Sequence, residues 1–71
     1  MTEMELFRFN HGGDEIAVFS PGGTAPVFYR KNGGEPREAY AVYKESRGKF
    51  VDDKGNELGY RDAIEYVRGQ L

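Results

Sequence analysis

A chain of 71 residues with ten Lys and Arg, twelve Asp and Glu, no Cys and a single His makes one small domain, 1–71, with a thin stability margin. Neither a disulfide nor a multi-ligand metal site is available as a staple, so packing must hold the fold, and the five Phe and five Tyr are its largest apolar groups. A net charge of −2 gives no global field for nucleic acid, and no stretch is long and apolar enough to span a bilayer.

Three Gly-Gly pairs, at 12–13, 22–23 and 33–34, punctuate the first half at the spacing of turns between short antiparallel strands. Asn10 to Asp14 and Lys31 to Gly34 hold residues that tolerate φ > 0 in tight hairpins, while Ser20-Pro21-Gly22-Gly23 has Pro and Gly placed for a type II turn. The β-rich runs between them are Met4 to Phe9, Glu15 to Phe19 and Val27 to Lys31, with Pro26 at the mouth of the third, where a missing N–H does least harm.

Glu38 to Lys44 carries conflicting signals. Pro36 and Gly48 could bracket a helix, but the Tyr and Val content and the preceding Asn-Gly-Gly favour a return strand. Lys49 to Val51 and Asn56 to Leu58 then form a last small hairpin around Asp52 to Gly55. From Leu58 to Leu71 the period becomes helical: Tyr60, Ala63, Ile64, Val67 and Leu71 share one side, and Arg61, Asp62, Glu65 and Arg68 the other. About three turns of helix are marginal alone in water, so this amphipathic segment requires an apolar surface beneath it. The expected fold is α+β, an antiparallel β-meander of four to five short strands packed by one C-terminal α-helix.

Side-chain parity along such strands sorts the apolar residues into two sets. One holds Phe7, Phe9, Ala17, Phe19, Phe28, Ala39, Ala41 and Tyr43, the other Met4, Leu6, Ile16, Val18, Val27 and Val42 among Arg8, Tyr29, Lys31, Tyr40 and Lys44. Because Phe is more often fully buried than Tyr, the first set is expected to meet the helix. The second then needs a cover, from a curled sheet, a helix over 36–47, a second copy or a partner.

No motif announces chemistry. His11 with Asp14 falls short of a metal site, and Asp52-Asp53-Lys54-Gly55-Asn56-Glu57 lacks the ligand spacing of a calcium loop. The glycine pairs match no phosphate loop, and Ser20, Thr24 and Ser46 are the hydroxyl candidates considered for a nucleophile, with His11 the only imidazole. These residues give no reason to expect an enzyme or a cofactor.

Charge placement points elsewhere. Residues 1–29 and 50–71 are acidic on balance, whereas 30–49 carry Arg30, Lys31, Arg37, Lys44, Arg47 and Lys49 against Glu35, Glu38 and Glu45, a local balance of +3. The expected role is a non-enzymatic binding module, contacting a protein partner or a second copy through one sheet face, with Tyr29 and Tyr40 as anchors and Arg8, Lys31 and Lys44 orienting an acidic partner. The alternative is single-stranded nucleic acid held by the aromatics and cations of 29–49. Without a cysteine, or a basic start and apolar run in Met1 to Phe9, a cytoplasmic location is expected, and by analogy with small motif-free bacterial and phage proteins the role expected is that of an accessory protein or a surface-occupying inhibitor.

Overall fold

The computed structural model describes residues 3–22 and 25–71. Two strands, β1 (Met4–His11) and β2 (Asp14–Ser20), form a hairpin whose two-residue loop, Gly12-Gly13, has both φ angles positive, at 58° and 87°. That is the primed turn whose twist matches the flanking strands, and it places His11 opposite Asp14. The next hairpin, β3 (Phe28–Lys31) to β4 (Arg37–Glu38), turns on Asn32 and Gly33 at φ 52° and 72°, and the Gly34 N–H donates to the Lys31 carbonyl at 3.0 Å. Asn32 ties the two turns together: its Oδ1 accepts the Glu15 N–H and its Nδ2 donates to Asp14, both at 2.9 Å.

Strands β5 (Val42–Lys44), β6 (Lys49–Val51) and β7 (Glu57–Leu58) follow, then helix α1 (Tyr60–Arg68). All pairings are antiparallel, in a four-stranded sheet ordered β1-β2-β3-β4 and a three-stranded sheet ordered β5-β6-β7. The fold is therefore the expected α+β meander with one C-terminal helix, divided between two sheets. In the Pro-Gly turn Gly22 has φ 111°, as a type II turn requires; Gly23 and Thr24 lie outside the described residues.

The segment 38–44 is extended and not helical, but it is not one strand. It leaves the first sheet after Glu38, turns at Tyr40, whose φ is 55°, and joins the second sheet at Val42. Across this crossing the Val27 N–H donates to Ala41 at 2.8 Å and the Ala39 N–H to Val27 at 2.9 Å. Ala39 and Ala41 are buried beside Val27, where larger side chains would hold the two strands apart.

The expected assignment of faces is overturned. The side that meets the helix carries Ile16, Val18 and Tyr29, joined by Phe7 and Phe9, while Ala17, Phe19 and Phe28 lie on the opposite side. Two physical causes act together. The two-residue Gly12-Gly13 loop sets Phe9 opposite Ile16 and Phe7 opposite Val18, and a bulge in β1 between Glu5 and Phe7 then puts Glu5, not Leu6, opposite Phe19. Phe19 and Phe28 then escape water without the helix: their rings stack at 6.1 Å, and the Arg30 guanidinium lies 4.1 Å over Phe19, which is only 4% exposed. Ile16, Val18 and Val27 of the expected aliphatic face are thus buried, while Met4 at the start of β1 is 37% exposed.

The core is completed by Phe50 from β6 and by Ala63 and Val67 from the helix, with Tyr43, Leu58, Ile64 and Tyr66 packed against it. Tyr60 and Leu71, expected on the buried side of the helix, are exposed: Tyr60 at the first turn touches the core only at the Phe7 ring, and Leu71 lies beyond the helix end at Arg68. Glu65 pairs with Arg68 at 2.8 Å, as the spacing predicts, while Arg61 makes no ion pair among the described residues.

Two stability measurements check this arrangement. Ile16→Ala, at a side chain 1% exposed, should cost about 2–5 kcal/mol in urea unfolding, whereas Val42→Ala on the solvent side of the second sheet should stay within about 0.5 kcal/mol. At the helix start Gly59 has extended geometry, φ −75° and ψ −178°, supplies no side-chain cap, and has open space where a Cβ would stand. Gly59→Ser should therefore raise stability by about 0.5 kcal/mol, read as a rise of a few degrees in the midpoint of thermal unfolding.

Candidate protein-binding face

The five sequence-expected contact residues do not share a face. Tyr29 is 7% exposed, its ring inside the core, and cannot act as a surface anchor. Arg8 lies on the far side of the first sheet, 2.8 Å from both Glu5 and Glu15, and Lys31 sits 3.3 Å from Asp14. The Asn32 amide and then the Lys31 ammonium hold the Asp14 carboxyl below the usual carboxylate range. Tyr40 and Lys44 remain, and both belong to the run that enters the second sheet.

Alternation sorts that sheet cleanly. Tyr43, Phe50 and Leu58 turn inward to the core, so Val42, Lys44, Lys49, Val51 and Glu57 turn outward. On this outer face Val42 stands opposite Val51 and Lys44 directly opposite Lys49. Neither lysine has an ion-pair partner among the described residues, and like charges facing each other across two strands destabilise the sheet. Arg47, in the turn between β5 and β6, pairs with Glu57 at 3.0 Å, so the paired charges cancel and the lysines do not. Val42 is 39% exposed and Val51 half-buried, giving an apolar centre beside a cationic end.

Tyr40 marks the other end. Its side chain is 60% exposed although its backbone occupies the left-handed region, a conformation that costs a non-glycine residue about 1–3 kcal/mol and persists only where its surroundings impose it. Here the helix and the turn after it impose it: the Tyr66 hydroxyl donates to the Tyr40 carbonyl at 2.9 Å and the Gln70 amide, just beyond the helix end, donates to the Ala39 carbonyl at 2.7 Å. Burial, with the Asp53 carboxylate 3.3 Å from the hydroxyl, pushes the Tyr66 phenol above its usual range. Tyr40, Tyr66 and Gln70 share a hollow with Asp52, Asp53, Lys54 and Asn56. Asp52 is occupied there by its own turn, accepting the Asn56 and Lys54 N–H groups at 2.8 and 2.9 Å, which lowers its pKa.

The remaining candidates are committed elsewhere. The Ser20 hydroxyl accepts the Gly22 N–H at 3.3 Å, Ser46 sits exposed in a turn, and Thr24 lies outside the described residues. Among the described residues no three His, Cys, Asp or Glu side chains gather as metal ligands, and no helix is long and apolar enough to cross a membrane. No family model matches the chain, and no curated protein or solved structure was found to be similar to it.

Two variants test how the helix holds this face. Removing the hydroxyl in Tyr66→Phe should cost about 1 kcal/mol of stability at neutral pH. The raised phenol pKa contributes stability that is complete below the ordinary tyrosine pKa and lost as pH rises through the higher folded value. Wild type should therefore lose stability from about pH 10 upward more steeply than Tyr66→Phe. Tyr40→Gly, which adopts positive φ freely, should leave stability within about 1 kcal/mol of wild type in thermal melts.

Proposed function

We propose that the protein is a non-enzymatic binding module whose contact face is the outer side of the three-stranded sheet, and that its partner is a protein presenting acidic side chains around an apolar centre. The observation that carries this reading is the Lys44 and Lys49 pair, held opposite each other without counter-charges beside exposed Val42 and half-buried Val51. An arrangement that destabilises the free sheet becomes favourable when carboxylates approach, and the valines supply the surface to be desolvated. Tyr40, presented at the end of the same run, adds a large ring whose backbone is already fixed, so little conformational entropy is lost on contact.

Titration of 15N-labelled protein with a synthetic peptide carrying Leu and Val flanked by Glu tests the reading. Amide shifts should centre on Tyr40, Val42, Lys44, Lys49 and Val51, and Lys44→Glu with Lys49→Glu should weaken binding at least about tenfold at low salt. Shifts elsewhere, or binding indifferent to the double reversal, would sink it. A single-stranded oligonucleotide across a salt series is the comparison: if it binds through these lysines more tightly than the peptide and weakens steeply with salt, the nucleic-acid reading replaces this one.

A further inference from the structure

A second surface, separate from the proposed protein contact, lies at the turn end of the four-stranded sheet. Beyond the last turn of the helix the inner side of that sheet opens into a cleft of about 640 Å³, within the size range of small-molecule sites. Its apolar lining comes from Ile16, Tyr29 and Leu71, and its rim carries His11, Asp14, Lys31, Glu35 and Arg37. The pairing of these charges leaves one of each sign uncommitted. Lys31 and Asp14 neutralise each other at 3.3 Å, and Asp14 also accepts from Asn32, so neither is available without breaking contacts within the fold. Arg37 and Glu35 make no ion pair among the described residues although both line the same cleft. Arg37 stands directly across the β3–β4 ladder from Tyr29. The Tyr29 ring is buried, yet its hydroxyl has no hydrogen-bond partner among the described residues. Because no fully buried side-chain polar atom there lacks a partner, that hydroxyl opens onto the cleft.

The cleft therefore offers one uncommitted guanidinium, one uncommitted carboxylate and one phenol around an apolar floor. We infer that it binds a zwitterion with an apolar body, the chemical class of free amino acids and short peptides. The ligand carboxylate meets Arg37 and the Tyr29 hydroxyl, the ligand ammonium meets Glu35, and the apolar side chain packs on Leu71, which is 42% exposed. A guanidinium suits the carboxylate because its planar fork donates two parallel hydrogen bonds. A simple anion would bring its charge towards Glu35 and a simple cation would approach Arg37, so ligands of one sign are disfavoured.

Titration of 15N-labelled protein with phenylalanine, the dipeptide Leu-Phe, N-acetyl-phenylalanine and phenylalanine amide tests this. At least one of the uncapped ligands should shift the Ile16, Tyr29 and Arg37 amides with a Kd at or below about 10 mM, and each capped form should bind about tenfold more weakly, since each lacks one charge. The preference between phenylalanine and Leu-Phe distinguishes a free amino acid from a peptide as the ligand. Arg37→Gln should weaken the uncapped ligand and abolish its preference over the amide, and Glu35→Gln should abolish its preference over the N-acetyl form. Both residues are exposed, so neither change threatens the fold. No shift from either uncapped ligand, or equal binding of capped and uncapped forms, overturns the proposal, and both results leave the lysine face of the second sheet to be judged by its own titration.

Discussion

Phe7 is where the three layers of this small protein meet. Its ring lies 6.2 Å from Phe9 in its own strand, 5.4 Å from Phe50 in the other sheet and 5.5 Å from Tyr60 at the start of the helix. The two sheets share no ladder, so these aromatic contacts, with the small core around Val18, Val27, Ala63 and Val67, turn two ribbons and a helix into one packed unit. An aromatic side chain is large enough to reach all three partners at once, which a chain with no disulfide and no tryptophan needs more than most.

The crossing from one sheet to the other follows from that centre. Once β4 has paired with β3 the chain must pass over the edge of the core, and it does so through Ala39 and Ala41, side chains small enough for the Val27 backbone to bond on both sides. The helix and the turn after it then hold the crossing from outside through Tyr66 and Gln70. Tyr40 is left with a left-handed backbone and an outward ring, a strained position supported by Tyr66 of the helix and by Gln70 just beyond its end. Core packing and surface presentation are thus coupled through a few backbone carbonyls.

Electrostatics divide the surface by what the fold has already used. On the far side of the first sheet Arg8 and Arg30 are bound to Glu5, Glu15 and Glu3, and Arg30 also shields Phe19, so that side is closed by its own partners. Exposed pairs of this kind are worth about 0–1 kcal/mol each, so their effect is more to neutralise than to stabilise. Charges left uncommitted include Lys44 and Lys49 on the second sheet and Arg37 with Glu35 at the cleft, where the two proposed contacts fall.

The sequence by itself determined the local architecture. Gly-Gly and Asn-Gly sites became turns because positive φ is cheap only for such residues, β-branched and aromatic runs became strands, and the 3.6-residue period became a helix within two residues of its expected start. The hairpin register was also legible: counting outward from a two-residue Gly12-Gly13 loop puts Phe9 opposite Ile16 and Phe7 opposite Val18. Parity within single strands misses this because it ignores how the strands are joined. Only the tertiary structure decided which side of the first sheet faces inward, since both sides carry apolar residues and the choice turns on which side Phe50, Ala63 and Val67 cover and on an arginine lying over Phe19 on the other. The break at Tyr40 was likewise invisible along the chain, because its alternation of buried and exposed residues continues unbroken from 39 to 44 while the backbone changes sheets. Short-range stereochemistry is encoded residue by residue; the inward face and the sheet exchange depend on contacts between residues tens of positions apart.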